Sequence, residues 1–150
     1  MRFPVQRNDI LNALDYFCNE KLRNYAAERN FDVGEPHSNV SNLSPLIRRR
    51  IISEHEVLAV ALRKYEASKI EKFIQEVFWR TYWRGWLELH PSVYQTVNEE
   101  QSGVTPPKKT GINCFDHWTE ELIETGYLHN HARMWYASIW IFTLNKSWVS

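Results

Sequence analysis

Cysteine is scarce in this chain. The two present, Cys18 and Cys114, match neither a metal-ligand spacing nor a disulfide framework, so a reducing compartment is their simplest setting. Net charge is absent as well. Eighteen lysines and arginines balance 18 aspartates and glutamates, so global attraction to nucleic acid or to an acidic membrane is not indicated, and only a local patch stays open. No apolar run reaches the roughly 18 residues of a membrane span. The opening MRFPVQRNDIL lacks the apolar stretch of a signal peptide, and a cytoplasmic protein is the default. There is no G-x-S-x-G, no Walker loop and no G-x-G-x-x-G. Strand-period segments and internal repeats are missing too, which leaves an all-α class. A length of 150 residues suits one domain with a real core.

Aromatic residues are abundant. Seven tryptophans stand with seven tyrosines and seven phenylalanines, and every tryptophan (Trp79, Trp83, Trp86, Trp118, Trp135, Trp140, Trp148) lies in the second half. Such a load serves a thick core, an interface or a stacking site for a flat ligand.

Helical periodicity places the elements. Ile10, Leu11, Leu14, Phe17 and Cys18 predict a helix over about 9–29, followed by a loop around Gly34 and Pro36. A short helix follows in LSPLIRRRII, and Ser53 with Glu56 has capping-box spacing for the next one. Over 68–90, Ile70, Phe73, Ile74 and Val77 form one stripe and Trp79, Trp83 and Trp86 another, a pattern that predicts burial on more than one side. The segment 91–111 reads as a long loop with Gly103, Pro106 and Pro107, and two helices over about 113–124 and 129–144 close the chain. It stops at LNKSWVS without a finishing cap or polar tail, the ending expected of a fragment or of a natural truncation.

Three stretches carry chemistry. In VSNLSP, Ser44 stands as an N-cap with Pro45 at the first helical position, and with Ser41 and the following Arg48, Arg49 and Arg50 it makes a workable phosphate cradle. The plain alternative is a capped helix with a solvated basic face. In EVFWR, Glu76 and Trp79 share a helical face and offer an acceptor beside a stacking surface, against the alternative of a surface glutamate and a core tryptophan. In TGYLHNHARMW, His129, Asn130, His131 and Arg133 crowd a helix start. Arg133 cannot lose its charge, and if buried needs a carboxylate or an anionic ligand. His129 and His131 fall on different faces, and a zinc site from His117, His129 and His131 lacks supporting cysteines or spacing, so no metal is expected.

The order of VSNLSP, EVFWR and TGINCFDHWTEELIETGYLHNHARMWYAS resembles the FAD-binding helical domain of the DNA photolyase and cryptochrome family, which carries TS-x-LSP, E-x-x-WRE and TG-x-P-x-x-DA…TGW-x-HN-x-x-RM. Thr110, Gly111, Asp116, Leu122, Thr125, Gly126, His129, Asn130, Arg133 and Met134 match the last block without a gap, and the resemblance runs over about 25–150. The chain departs from the pattern at Val40, Asn42, Arg50, Thr81, Glu120 and His131. The resemblance implies an irregular helical bundle like the N-terminal part of that domain, with residues 1–150 a partial FAD-binding domain lacking the antenna-binding α/β domain. It implies FAD held by Tyr25, Ser41, Leu43, Ser44, Phe73, Asn130 and Arg133. It assigns Glu76, Trp79, Asn130 and Met134 to catalysis, Glu76, Trp79 and His131 to DNA, and Trp148 to electron transfer. The implied activity is light-dependent repair of pyrimidine dimers in DNA by electron transfer from reduced flavin, with a second chain as one way to complete the domain. The alternatives are a non-catalytic, cryptochrome-like flavin or DNA-binding module and an inactive truncated remnant.

Overall fold

The computed structural model describes residues 3–99 and 109–149. These are all-helical, with no strand among the described residues. No helix among the described residues is long and apolar enough to cross a membrane. The chain groups into two compact units, residues 1–84 and 85–150.

In the first unit, α1 (Arg7–Glu20) buries Ile10, Leu14, Phe17 and Cys18, which repeat at helical spacing along one face. It packs on α4 (Glu54–Lys64), which contributes Val57, Leu58 and Ala61. The expected capping box starts α4. Ser53 Oγ accepts from the Glu56 N–H at 3.2 Å, and Glu56 Oε2 accepts from the Ser53 N–H at 2.9 Å. Arg7 ties the two helices, donating to Ile51 O at 2.6 Å and pairing with Glu56.

The helix expected over 9–29 breaks at Lys21, whose φ of −120° leaves the helical region. A 3₁₀ turn (Leu22–Asn24) and a one-turn helix, α2 (Tyr25–Glu28), follow. The reason is tertiary. Eight residues of straight helix would carry Tyr25 about 12 Å along the axis from Phe17. The break instead sets their rings 6.1 Å apart, edge to face, with Phe73 5.3 Å from Tyr25 and 5.4 Å from Phe17.

The loop from 30 to 43 is held by its own amides. Asn39 Nδ2 donates to Glu28 O and Phe31 O, both at 2.8 Å, and Asn42 Nδ2 donates to Pro36 O at 2.9 Å. Helix α3 (Ser44–Arg48) comes next and buries Leu46 and Ile47.

Helix α5 (Glu71–Leu89) buries Phe73 and Val77 on the expected stripe, with Ile70 just before it. The second stripe differs from expectation: Trp79 and Trp83 remain 48% and 51% exposed. These rings pack on each other. Trp79 stacks on Trp83 at 6.2 Å, and Tyr82 meets both edge-on.

In the second unit, α6 (Pro91–Glu99) occupies a stretch expected to be loop. Proline is at home in a helix's first turn, where no N–H is missed, and the His90 ring stacks on Trp86 at 4.0 Å just ahead of it. Gly103, Pro106 and Pro107 lie outside the described residues. Helix α7 (Asn113–Thr125) ends at Gly126, whose φ of +68° suits a left-handed C-terminal cap and whose N–H reaches Leu122 O at 2.9 Å. Helix α8 (Asn130–Ser138) then runs on into a π-helical turn (Ile139–Thr143). The core here is aromatic. Phe115, fully buried, stacks on Tyr136 at 4.2 Å and lies 6.5 Å from Trp140, beside a small cluster of Trp118, Leu128 and Ala132.

Candidate functional site

In the first unit, the break after α1 and the inner stripe of α5 bring Tyr25, Phe73 and Glu76 together. Phe73 is buried, and Tyr25 packs edge-on against it. One turn further along α5, Glu76 Oε1 accepts from Arg29 Nη1 at 2.5 Å, a partly buried ion pair spanning 47 positions. Glu76 is therefore already engaged by a cation from the end of α2. The sequence set Tyr25 and Arg29 one turn apart, but the role of Arg29 as partner of Glu76 could not be read from it. Trp79 sits on the next turn, half exposed.

The VSNLSP stretch departs from the expected capping. Leu43 is the residue preceding the helix, and its carbonyl accepts from both Leu46 N–H and Ile47 N–H at 3.0 Å. Ser44 is thus the first helical residue and is exposed, with Pro45 second. Burial of Leu43 in the core accounts for the one-residue shift. No side-chain hydrogen bond caps α3; Ser41 Oγ accepts from the N–H of Leu43, just ahead of the helix, at 3.4 Å. Beside it, Asn42 Oδ1 is buried and has no hydrogen-bond partner among the described residues.

In the second unit, Asp116 builds the turn that launches α7. It accepts from Thr110 Oγ1 at 2.7 Å, from Thr110 N–H at 2.9 Å and from Gly111 N–H at 3.2 Å. These bonds, led by the Thr110 hydroxyl, hold its carboxyl below the ordinary aspartate value. At the other end of the helical pair, buried His129 caps α8, its Nδ1 accepting from His131 N–H at 3.3 Å. Part of the crowding at HNHAR is therefore structural.

Asn130, Arg133 and Met134 are exposed, and His131 is half-buried with Nδ1 unpartnered among the described residues. Arg133 meets no carboxylate among them; Nη2 donates to Leu128 O at 3.0 Å. Trp148 is about half exposed, one residue beyond the carbonyl of Ser147 that accepts from Trp140 Nε1 at 2.9 Å. No group of three or more histidine, cysteine, aspartate or glutamate residues among the described residues could hold a metal ion.

No family profile matches the chain. Individual proteins do. Over 97% of its length the chain is 25% identical to a deoxyribodipyrimidine photo-lyase of Neurospora crassa, covering 26% of that protein. Over the same share it is 26% identical to a deoxyribodipyrimidine photo-lyase of Escherichia coli, covering 34% of it. A third, from Vibrio cholerae, is 22% identical over 88% of the chain. The chain is thus distantly similar to deoxyribodipyrimidine photo-lyases along nearly its whole length, and it spans between about a quarter and a third of theirs.

Proposed function

We propose that residues 1–150 are a partial photolyase-like FAD-binding domain that acts in light-dependent repair of pyrimidine dimers in DNA, in a cytoplasmic setting. The observation that carries this reading is the similarity to deoxyribodipyrimidine photo-lyases through 97% of the chain. The polar side chains suit the group. Ser41 and Ser44 carry hydroxyls that would donate to a phosphate of the group, Ser44 from an exposed position at the start of α3. When bound, FAD supplies a photo-excitable electron donor.

The chain's own residues then bind and orient. In the first unit Tyr25, Leu43 and Phe73 shape an apolar wall from the core, while Glu76 and Trp79 offer an acceptor and a stacking face to a flipped pyrimidine dimer. In the second unit Asn130 and Arg133 would hold the flavin, and the permanent charge of Arg133 would favour an anionic ring. Asn130, His131 and Met134 contact the lesion, and Trp148 serves electron transfer. A second chain that completes the domain is part of this proposal.

The Arg29–Glu76 ion pair favours one second reading: a non-catalytic, cryptochrome-like flavin or DNA-binding module whose acceptor is already occupied. The first test is the visible spectrum of the purified chain, with release and identification of any chromophore. Flavin bands at about one FAD per chain are expected. A protein that stays colourless after refolding with FAD, both alone and with a chain supplying the rest of the domain, would sink both flavin readings. Light-dependent loss of dimers from an ultraviolet-treated oligonucleotide, abolished by Glu76→Ala, separates repair from the module without it.

A further inference from the structure

The first unit holds a cavity of about 340 Å³ lined by Ile47, Arg48, Arg50, Arg80 and Arg84. Arg48 ends α3, Arg50 follows two residues beyond it, and Arg80 and Arg84 stand one turn apart on α5, so four arginines line one space. Convergence of like charges is not what folding alone selects. Arg80 and Arg84, four apart on a helix, repel each other. Arg50 also holds a φ of +60°, a conformation uncommon for residues other than glycine.

The counter-charge is thin. Among the described residues Glu54 alone answers them, with Oε2 3.2 Å from Arg50 Nη1 and Oε1 3.7 Å from Arg80 Nε. Arg48 and Arg84 have no ion-pair or hydrogen-bond partner among the described residues. Burial, with Arg48 and Arg50 close by, disfavours the charge on Arg80, and Glu54 offsets only part of that. Three positive charges therefore remain uncompensated around a concave space floored by Ile47.

We propose that this cavity is a binding site for a phosphate group. Guanidinium forks match tetrahedral phosphate oxygens bidentately, and a multiply charged anion gains most from several fixed cations. The volume lies at the small end of ligand pockets, which suits a phosphate or pyrophosphate more than a large ring system. The site lies at the C-terminal end of α3, at the opposite end from Ser41 and Ser44, and it does not depend on flavin binding. The phosphate can come from a free phosphate compound or from a nucleic-acid strand.

The test uses the full chain and two probes. Inorganic pyrophosphate is titrated calorimetrically into the native chain and into the double variant Arg48→Gln/Arg84→Gln, which removes the two arginines that hold nothing else. The expected result is binding that weakens at least tenfold in the double variant and stays unchanged in Arg49→Gln, which does not line the cavity. A labelled oligothymidylate is then followed by anisotropy across a salt series. If a strand is the source, the double variant lowers the slope of log K against log salt by about 1.4, the share of two phosphate contacts to a single strand. Pyrophosphate sensitivity with an unchanged oligonucleotide slope assigns the free compound. If neither probe distinguishes the double variant from the native chain, or if Arg49→Gln weakens binding as much, the basic face is diffuse and the site does not exist. Circular dichroism of each variant separates loss of binding from loss of fold.

Discussion

The first unit buries an aliphatic and aromatic cluster drawn from α1, α3, α4 and α5, with Ile10, Leu14, Leu43, Leu46, Ile52 and Val57 all nearly inaccessible. The second unit places Phe115 against Tyr136 and Trp140, and Tyr136 also packs on a small cluster of Trp118, Leu128 and Ala132. Stability in the first unit is thus spread over many interchangeable contacts, so any one side chain carries a modest share. In the second it is concentrated in a few large rings and in polar ties such as the Asp116 turn. A core built from many small parts tolerates loss better than one hung on a single ring, because neighbours close part of the void.

Phe115→Ala is the sharpest way to break this contrast. It should cost about 4 kcal/mol. In hydrogen exchange it should strip protection from 113–125 and 130–138 while α1 and α4 keep theirs. Equal losses in both units would mean the contrast is false. Leu14→Ala comes second, at about 3 kcal/mol by urea unfolding, with α1 and α4 affected first. Ser53→Ala removes one half of the capping box and should cost about 1 kcal/mol, read as a lower urea midpoint with an unchanged slope.

The smallest effect is a pH dependence. Hydrogen bonds from Ser53, backbone first, and then from Arg7 hold the Glu56 carboxyl down at about 2, below its ordinary 4.5. A carboxyl depressed in the folded state stabilises above its unfolded pKa, and that stability is lost as pH falls from 4.5 towards 2. Glu56→Gln should flatten the acid limb in exchange data from α4. Asp116→Asn should do the same for α7, since the Asp116 carboxyl is also lowered.

Much of this fold was legible in local patterns. The α1 stripe, the Ser53–Glu56 box and the limits of α7 need only nearby residues, and the all-helical class follows from them. Misreadings arose where distant contacts decided. The break at Lys21 exists because Phe73 waits for Tyr25, and the shift of the α3 start follows Leu43 into the core. Helix α6 hides in a composition of proline, asparagine and threonine that ordinarily signals a loop. For the candidate site, Glu76 and Trp79 could be read as one face, but the partner of Glu76 sits 47 positions away. The arginines from α3 and α5 likewise meet only in three dimensions.

The placement of the two thiols gives the chain a timer. Cys18 is sealed in the α1 face, and burial pushes its thiol up to about 11, whereas Cys114 is exposed in the first turn of α7. Only a thiolate attacks an alkylating reagent, and only an accessible one meets it. At neutral pH a maleimide dye should therefore mark Cys114 quickly and Cys18 only when the first unit opens. Mass spectrometry of one labelling series then yields two clocks from a single unmodified protein, the slow one ticking at the opening rate of the aliphatic core.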